Sequence, residues 1–209
     1  MTTNNQKSDI QILDIFDKSN LNDKTVLIQQ CNVVRRIPHG LSADFVLKLG
    51  KYTDVYSLRR GGTRNTAIIS DRPELGTISW CCPKTGNRPY VVNFFSQYDS
   101  GKSIDSCMTY SLNYKHLSQD THFHLNKKLD TRNNRLGYFK SCLTELIDDL
   151  DFMSCLSELD NSSPKITKIC FPFRIGCGLA GGVWRHYKQA IDDFSRNVNQ
   201  AVIIAKTVI

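Results

Sequence analysis

The chain has 209 residues, enough for one well-buried domain and a poor fit to two. Hydrophobic residues make up 40%, so a folded core is expected, and no apolar run approaches the roughly 18–20 residues that a membrane span needs. The formal charge of +7 suits anionic partners, either a phosphate-bearing small molecule or a nucleic acid.

Residues 1–8 read as a polar tail without the apolar core of a signal peptide, and residues 9–209 as a single domain; export is not expected. Asp9 to Leu13 is a short extended segment flanked by Ile10, Ile12 and Ile15. Thr25-Val26-Leu27-Ile28 is β-branched and nearly all apolar, as a strand covered on both faces should be. Cys31 to Leu41 reads as a loop containing Pro38 and Gly40. Ser42 is placed to cap a helix over Ala43 to Leu49, ended by Gly50. Gly61-Gly62 marks a turn. Thr77 to Trp80 and Tyr90 to Phe95 read as two more strands, with a hairpin turn over Lys84 to Arg88.

Ser96 to Arg132 shows little apolar periodicity, the mark of a functional loop or an insertion. Leu136, Phe139, Leu143, Leu146, Ile147 and Leu150 then recur at threes and fours, which predicts an amphipathic helix. Asn161-Ser162-Ser163-Pro164 breaks the chain. Ile166 to Phe171 is a predicted strand and Val183 to Val198 a helix with Trp184, Tyr187, Ile191 and Phe194 on one face. Ala201 to Val208 closes as a strand. Strands alternate with helices through the second half, so the expected architecture is a three-layer α/β/α sandwich around a mixed central sheet. Ligands in such sheets bind beyond the carboxyl ends of the strands. Two loops sit there, Cys31–Leu41 and Pro172–Gly182.

Eight cysteines occur, none in a Cys-x-x-Cys pair. Free thiols are expected rather than a disulfide framework. Cys81, Cys82, His122 and His124 are the residues a zinc site would draw on. Adjacent cysteines and a His pair two apart serve one ion poorly, so no metal and no cofactor is expected. Much of the positive charge falls between Lys102 and Arg135, on Lys102, Lys115, Lys127, Lys128, Arg132 and Arg135, joined by three histidines. It is either a solvated basic face or a nucleic-acid site.

The chemistry concentrates in Gly176-Cys177-Gly178-Leu179-Ala180-Gly181, literally G-x-G-x-x-G, between a strand and a helix. Glycines let backbone approach a phosphate, and a helix start offers unpaired N–H groups to an anion. A dinucleotide-binding Rossmann site wants this motif in its first βα unit with an acidic residue about 20 positions on. Here it opens the last such unit, and Asp192 and Asp193 fall inside the next helix. A P-loop needs Gly-Lys-Ser/Thr, and Gly181-Gly182-Val183 lacks the lysine. A strand-to-helix turn that binds nothing stays open as the plain alternative.

The stretch Phe171 to Trp184 resembles the second phosphate loop of the macro domain family, in the branch that processes ADP-ribose 1″-phosphate and hydrolyses ADP-ribosyl groups. Ile28-Gln29-Gln30-Cys31-Asn32, then His39-Gly40-Leu41-Ser42, is similar to that family's first loop, and Leu13-Asp14-Ile15 to its Gly-Asp-Ile. The resemblance spans most of residues 9–209 and is patchy between 97 and 130. It implies that Asp14 accepts the adenine amine with help from the Ile15 backbone, and that Asn32 holds the distal ribose hydroxyls. It implies that Gly40, Leu41 and Ser42 give backbone N–H groups to one phosphate. Ile175, Gly176, Cys177, Gly178, Leu179, Ala180, Gly181 and Gly182 would wrap the other phosphate and the ribose.

For catalysis it points to His39, whose imidazole titrates near neutral pH, with Asn32 beside it. A loop His facing solvent, and an Asn satisfying its own loop, are the plain alternatives. Gln29 stands where yeast-like phosphatase members carry His. Ala180 and Val183 stand where relatives carry Asp. These departures bear on catalysis more than on binding. The first function implied is hydrolysis of an ADP-ribosyl ester or of ADP-ribose 1″-phosphate. A non-catalytic reader of ADP-ribose, free or on ADP-ribosylated protein, is the second, and a nucleic-acid binder the third. The expected setting is cytoplasmic or nucleocytoplasmic, within a host cell if the protein is viral.

Overall fold

A computed structural model describes residues 8–62, 65–84, 87–103, 105, 130–159 and 165–206. Thr25 to Ile28 are fully buried and lead a strand that runs on to Asn32. Six strands pair into one sheet: β1 (Asp9–Gln11), β2 (Thr25–Asn32), β3 (Ile78–Cys81), β4 (Tyr90–Gln97), β5 (Lys168–Pro172) and β6 (Ala201–Ala205). Their order is β1-β6-β5-β2-β4-β3. All neighbours are parallel except β3, which runs antiparallel to β4 at the edge. The sheet is therefore mixed, as expected.

Side-chain alternation sorts the two faces. Val26 and Ile28 of β2, Val92 and Phe94 of β4, Ile169 and Phe171 of β5, and Val202 and Ile204 of β6 share one core. Two helices cover it: α2 (Arg132–Leu159), through Phe139, Leu143, Leu146 and Leu150, and α3 (Trp184–Ser195), through Tyr187, Ile191 and Phe194. Phe139 sits at its centre, its ring 5.4 Å from Phe94, 6.5 Å from Phe171 and 4.9 Å from Tyr187. The intervening residues Leu27, Val91, Cys170 and Ile203 face the other way, onto Phe45 and Leu49 of α1 (Leu41–Leu49). Helix, sheet and helix thus form the three layers predicted.

Several boundaries differ from the sequence expectation. Cys31 and Asn32, expected in a loop, end strand β2, because their backbone pairs in parallel with Phe95 and Gln97 of β4. Helix α1 starts at Leu41 with Gly40 as its N-cap, so Ser42 is not a cap; it lies buried in the first turn. Helix α3 is shorter than expected, with Val183 extended before it, while Val198 beyond it still packs into the core. Helix α2 continues past Leu150, leaving Phe152 and Leu156 exposed. Strand β5 begins at Lys168, with Ile166 buried ahead of it. Ser8, read as tail, is buried, and its hydroxyl donates to Asp192 Oδ1 at 2.5 Å. The 161–164 break, Val208 and Gly86 of the hairpin turn lie outside the described residues.

Arg135 is also corrected. It is no part of a solvated basic face: it is 1% exposed and paired with Asp130 at 2.7 Å. Lys102 and Arg132 are exposed, and Lys115, Lys127 and Lys128 lie outside the described residues. All seven described cysteines are free; Cys31, Cys81, Cys142 and Cys170 are buried. No helix among the described residues is long and apolar enough to cross a membrane.

Candidate functional site

The carboxyl ends of β2 and β5 open into a cleft of about 310 Å³. Two backbone segments face each other across it: the start of α1 and the loop from Phe173 to Val183. At the first, Gly40 takes φ +56, a left-handed conformation that suits glycine. Its carbonyl accepts the N–H groups of Ala43 and Asp44 at 2.9 and 3.2 Å. The N–H groups of Leu41 and Ser42 precede these bonds and have no intrahelical partner.

The second segment is a chain of tight turns. Ile175 N–H donates to Pro172, Cys177 to Arg174, Gly181 to Gly178, and Gly182 back to Gly176 at 2.9 Å. Among the described residues, the N–H groups of Gly178, Leu179 and Ala180 donate to nothing. Two helix-start donors and three loop donors therefore surround one cavity, which is a chemistry for anionic oxygens. The exposed guanidinium of Arg174 adds a full positive charge to the lining.

The glycines have separate reasons. A Cβ on Gly182 would lie 2.6 Å from the Tyr187 ring, and one on Gly176, at φ +72, 2.4 Å from it. The ring of Tyr187 is thus wedged beneath the loop, and these two glycines serve packing. Gly178 alone of the four glycines in the loop has open space around its missing side chain and lines the cleft.

Arg174 takes φ +59, a conformation costing a non-glycine residue about 1 kcal/mol. Arg174→Gly is therefore expected to raise the melting temperature by about 2–4 °C. It should weaken anion binding at the same time, because the cleft loses a cation. Differential scanning calorimetry and an anion titration check the two arms.

Of the residues read from sequence, Asn32, His39, Gly40, Leu41, Ser42, Ile175, Gly176, Gly178, Leu179 and Ala180 line the cleft together. Cys177, Gly181 and Gly182 belong to the same loop without lining the cavity. Burial pushes the Cys177 thiol up to about 11, so it is not a thiolate near neutral pH. Asp14 and Ile15 follow β1 at the sheet edge, away from the cavity lining. Asp14 Oδ1 accepts the Phe16 N–H at 2.9 Å, and Ile15 is buried.

Asn32 is committed to its own loop. Its Oδ1 accepts the Arg35 N–H at 2.8 Å, and its backbone N–H and Nδ2 approach the Tyr56 hydroxyl at 3.2 and 3.4 Å. Burial holds the Tyr56 phenol well above its usual range, so it stays neutral. His39 is exposed at the rim.

Sequence reasoning missed the residues that hold the cleft walls together. Arg35 forks onto Asp99 at 2.5 and 2.8 Å. Arg135 donates to the carbonyls of Gly101 at 2.7 Å, Asp99 at 3.3 Å and Ala180 at 3.0 Å. One buried guanidinium thus ties the loop after β4 to the loop after β5. Gln30, Tyr56, Gln97 and Ser100 also line the cleft and carry no motif that points to them. Of the imagined zinc ligands, His122 and His124 lie outside the described residues, and no metal-binding cluster occurs among those described.

No family model and no curated relative matches the sequence. Solved structures do. The macrodomain of Mycobacterium tuberculosis DarG superposes with a TM-score of 0.54 at 14% identity, covering 95% of this chain and 99% of its own. The macrodomain of Thermus aquaticus DarG does so with a TM-score of 0.50 at 15% identity, covering 96% and 97%. At such identities the likeness is one of fold, extends over nearly the whole of both chains, and makes this protein a macrodomain in architecture.

Proposed function

We propose that the cleft binds ADP-ribose or a close derivative, with the diphosphate between the start of α1 and the loop at Gly178. The observation that carries this reading is the convergence of five unpaired backbone N–H groups, those of Leu41, Ser42, Gly178, Leu179 and Ala180, on one cavity. The sequence resemblance and the macrodomain architecture support ADP-ribose over other diphosphates. Calorimetry with ADP-ribose tests it: micromolar affinity, about −8 kcal/mol, is expected, and no heat at millimolar ligand defeats the reading.

Hydrolysis of an ADP-ribosyl ester or of the 1″-phosphate is the second reading, and it rests on His39. No carboxylate lines the cleft among the described residues, and His39 is an imidazole on its lining, a side-chain type that serves in general acid–base chemistry. His39→Ala is expected to leave ADP-ribose affinity within about twofold while lowering release of ADP-ribose from a modified protein 10²–10⁴-fold. If the unaltered protein binds ADP-ribose and releases none, the chain is a reader.

A further inference from the structure

A peptide group whose carbonyl accepts a hydrogen bond is polarised by it, and its N–H becomes a better donor. The loop after β5 contains a chain of such groups, and the chain starts on a charge. Arg135 divides its donors. Its Nε and Nη2 face the Asp130 carboxylate, both at 2.7 Å, while Nη1 donates to the carbonyls of Gly101 at 2.7 Å and Ala180 at 3.0 Å. The Ala180 carbonyl shares its peptide group with the Gly181 N–H, which donates to Gly178 O at 3.1 Å. The Gly178 carbonyl in turn shares its peptide group with the Leu179 N–H. That N–H donates to no described residue, and Leu179 lines the cleft. Two successive peptide groups thus lead from a buried guanidinium to one donor at the cavity.

The neighbouring donors lack this connection. The Gly178 N–H shares its peptide group with the Cys177 carbonyl, and the Ala180 N–H with the Leu179 carbonyl. Neither carbonyl accepts a backbone N–H among the described residues. Of the three loop donors, Leu179 is therefore the one that Arg135 can strengthen. A bond from a charged donor is roughly twice as strong as a neutral one, and each link of a chain strengthens the next by about 10–30%. The guanidinium is 1% exposed, so water screens its pull on the chain weakly.

We propose that Arg135 is a positioning residue for the anion site, acting through two peptide groups to make the Leu179 N–H the strongest donor of the loop. This rests on the reading above that a diphosphate occupies the cleft. The test is NMR on the full chain carrying isotope-labelled glycine, alanine and leucine, together with calorimetry against ADP-ribose. Arg135→Gln combined with Asp130→Asn replaces both charges by neutral amides. Arg135→Lys keeps a cation against the carbonyls.

In the ligand-free double variant the amide protons of Gly181 and Leu179 are expected to move upfield, while those of Gly178 and Ala180 stay. Affinity for ADP-ribose should fall about threefold. Lysine should restore most of both. A purely structural Arg135 would displace the whole loop and move all four signals together, and that result overturns the inference alone. So does a still Leu179 signal, an unchanged affinity, or a lysine that restores neither. Should the double variant fail to fold, the unaltered protein answers the same question, because a chain strengthens in both directions. The scalar coupling across the bond from Gly181 N–H to Gly178 O should then grow when ADP-ribose binds, and a constant coupling overturns the inference. Failure of the unaltered protein to bind ADP-ribose overturns the proposed function, and this with it.

Discussion

Arg135→Ala is expected to cost about 3–5 kcal/mol, the largest stability loss of any single substitution considered. The guanidinium is 1% exposed and its partner Asp130 is equally buried. Removing one member of such a pair leaves an uncompensated charge in the interior, which costs more than the pair itself contributes. Four backbone carbonyls also lose a donor, those of Asp99, Gly101, Lys102 and Ala180. Against a typical total of about 5–15 kcal/mol, the loss takes a fifth or more of the stability. Urea denaturation measures it directly. Adding Asp130→Asn should recover part of the loss, since an amide oxygen still accepts the Tyr98 N–H and the stranded charge is gone. A loss below 1 kcal/mol would mean that the pair is not buried in solution.

The second large effect is on binding. Gly178→Asp is expected to leave the fold intact and to weaken ADP-ribose binding on the order of a hundredfold. Nothing lies within 4 Å of a Cβ at Gly178, and its φ is not in the left-handed region, so the side chain fits without strain. The new carboxylate stands on the cleft lining, beside the N–H donors proposed to receive the diphosphate. A unit charge about 5 Å from another, at an effective dielectric near 20 and with discount for solvent, opposes binding by about 2–3 kcal/mol. Titration calorimetry together with a melting curve separates this from misfolding. Unchanged affinity would move the anion away from the loop and would undercut the proposed function.

Where an element is held by near neighbours in sequence, the residues announced it. The threes and fours from Leu136 to Leu150 are the face of α2 that meets the sheet, and the apolar run at Val26 to Ile28 is the centre of β2. Cys31 and Asn32 were read as loop because the residues they pair with, Phe95 and Gln97, lie far along the chain. The same holds at Arg135. A lysine- and arginine-rich composition reads as a basic surface until folding brings its partners from as far as Ala180. Ser42 fits a cap by type, but Gly40 turns the chain one residue earlier and α1 begins at Leu41.

The cleft was legible in both glycine-bearing segments, since glycines between a strand and a helix have local causes. Its floor was not. Gln30 becomes visible only as a cleft-lining residue, a property that depends on where Gly176 and Tyr187 lie.

The wedge of Tyr187 beneath Gly176 and Gly182 bears on the timing of recognition. A loop braced from below by a helix residue 2% exposed has few other shapes to visit, so little ordering entropy is lost when a ligand arrives. Encounter then needs no waiting for the cradle to form. Ligands sharing the diphosphate should enter at similar rates, and the protein should tell them apart by how long each one stays.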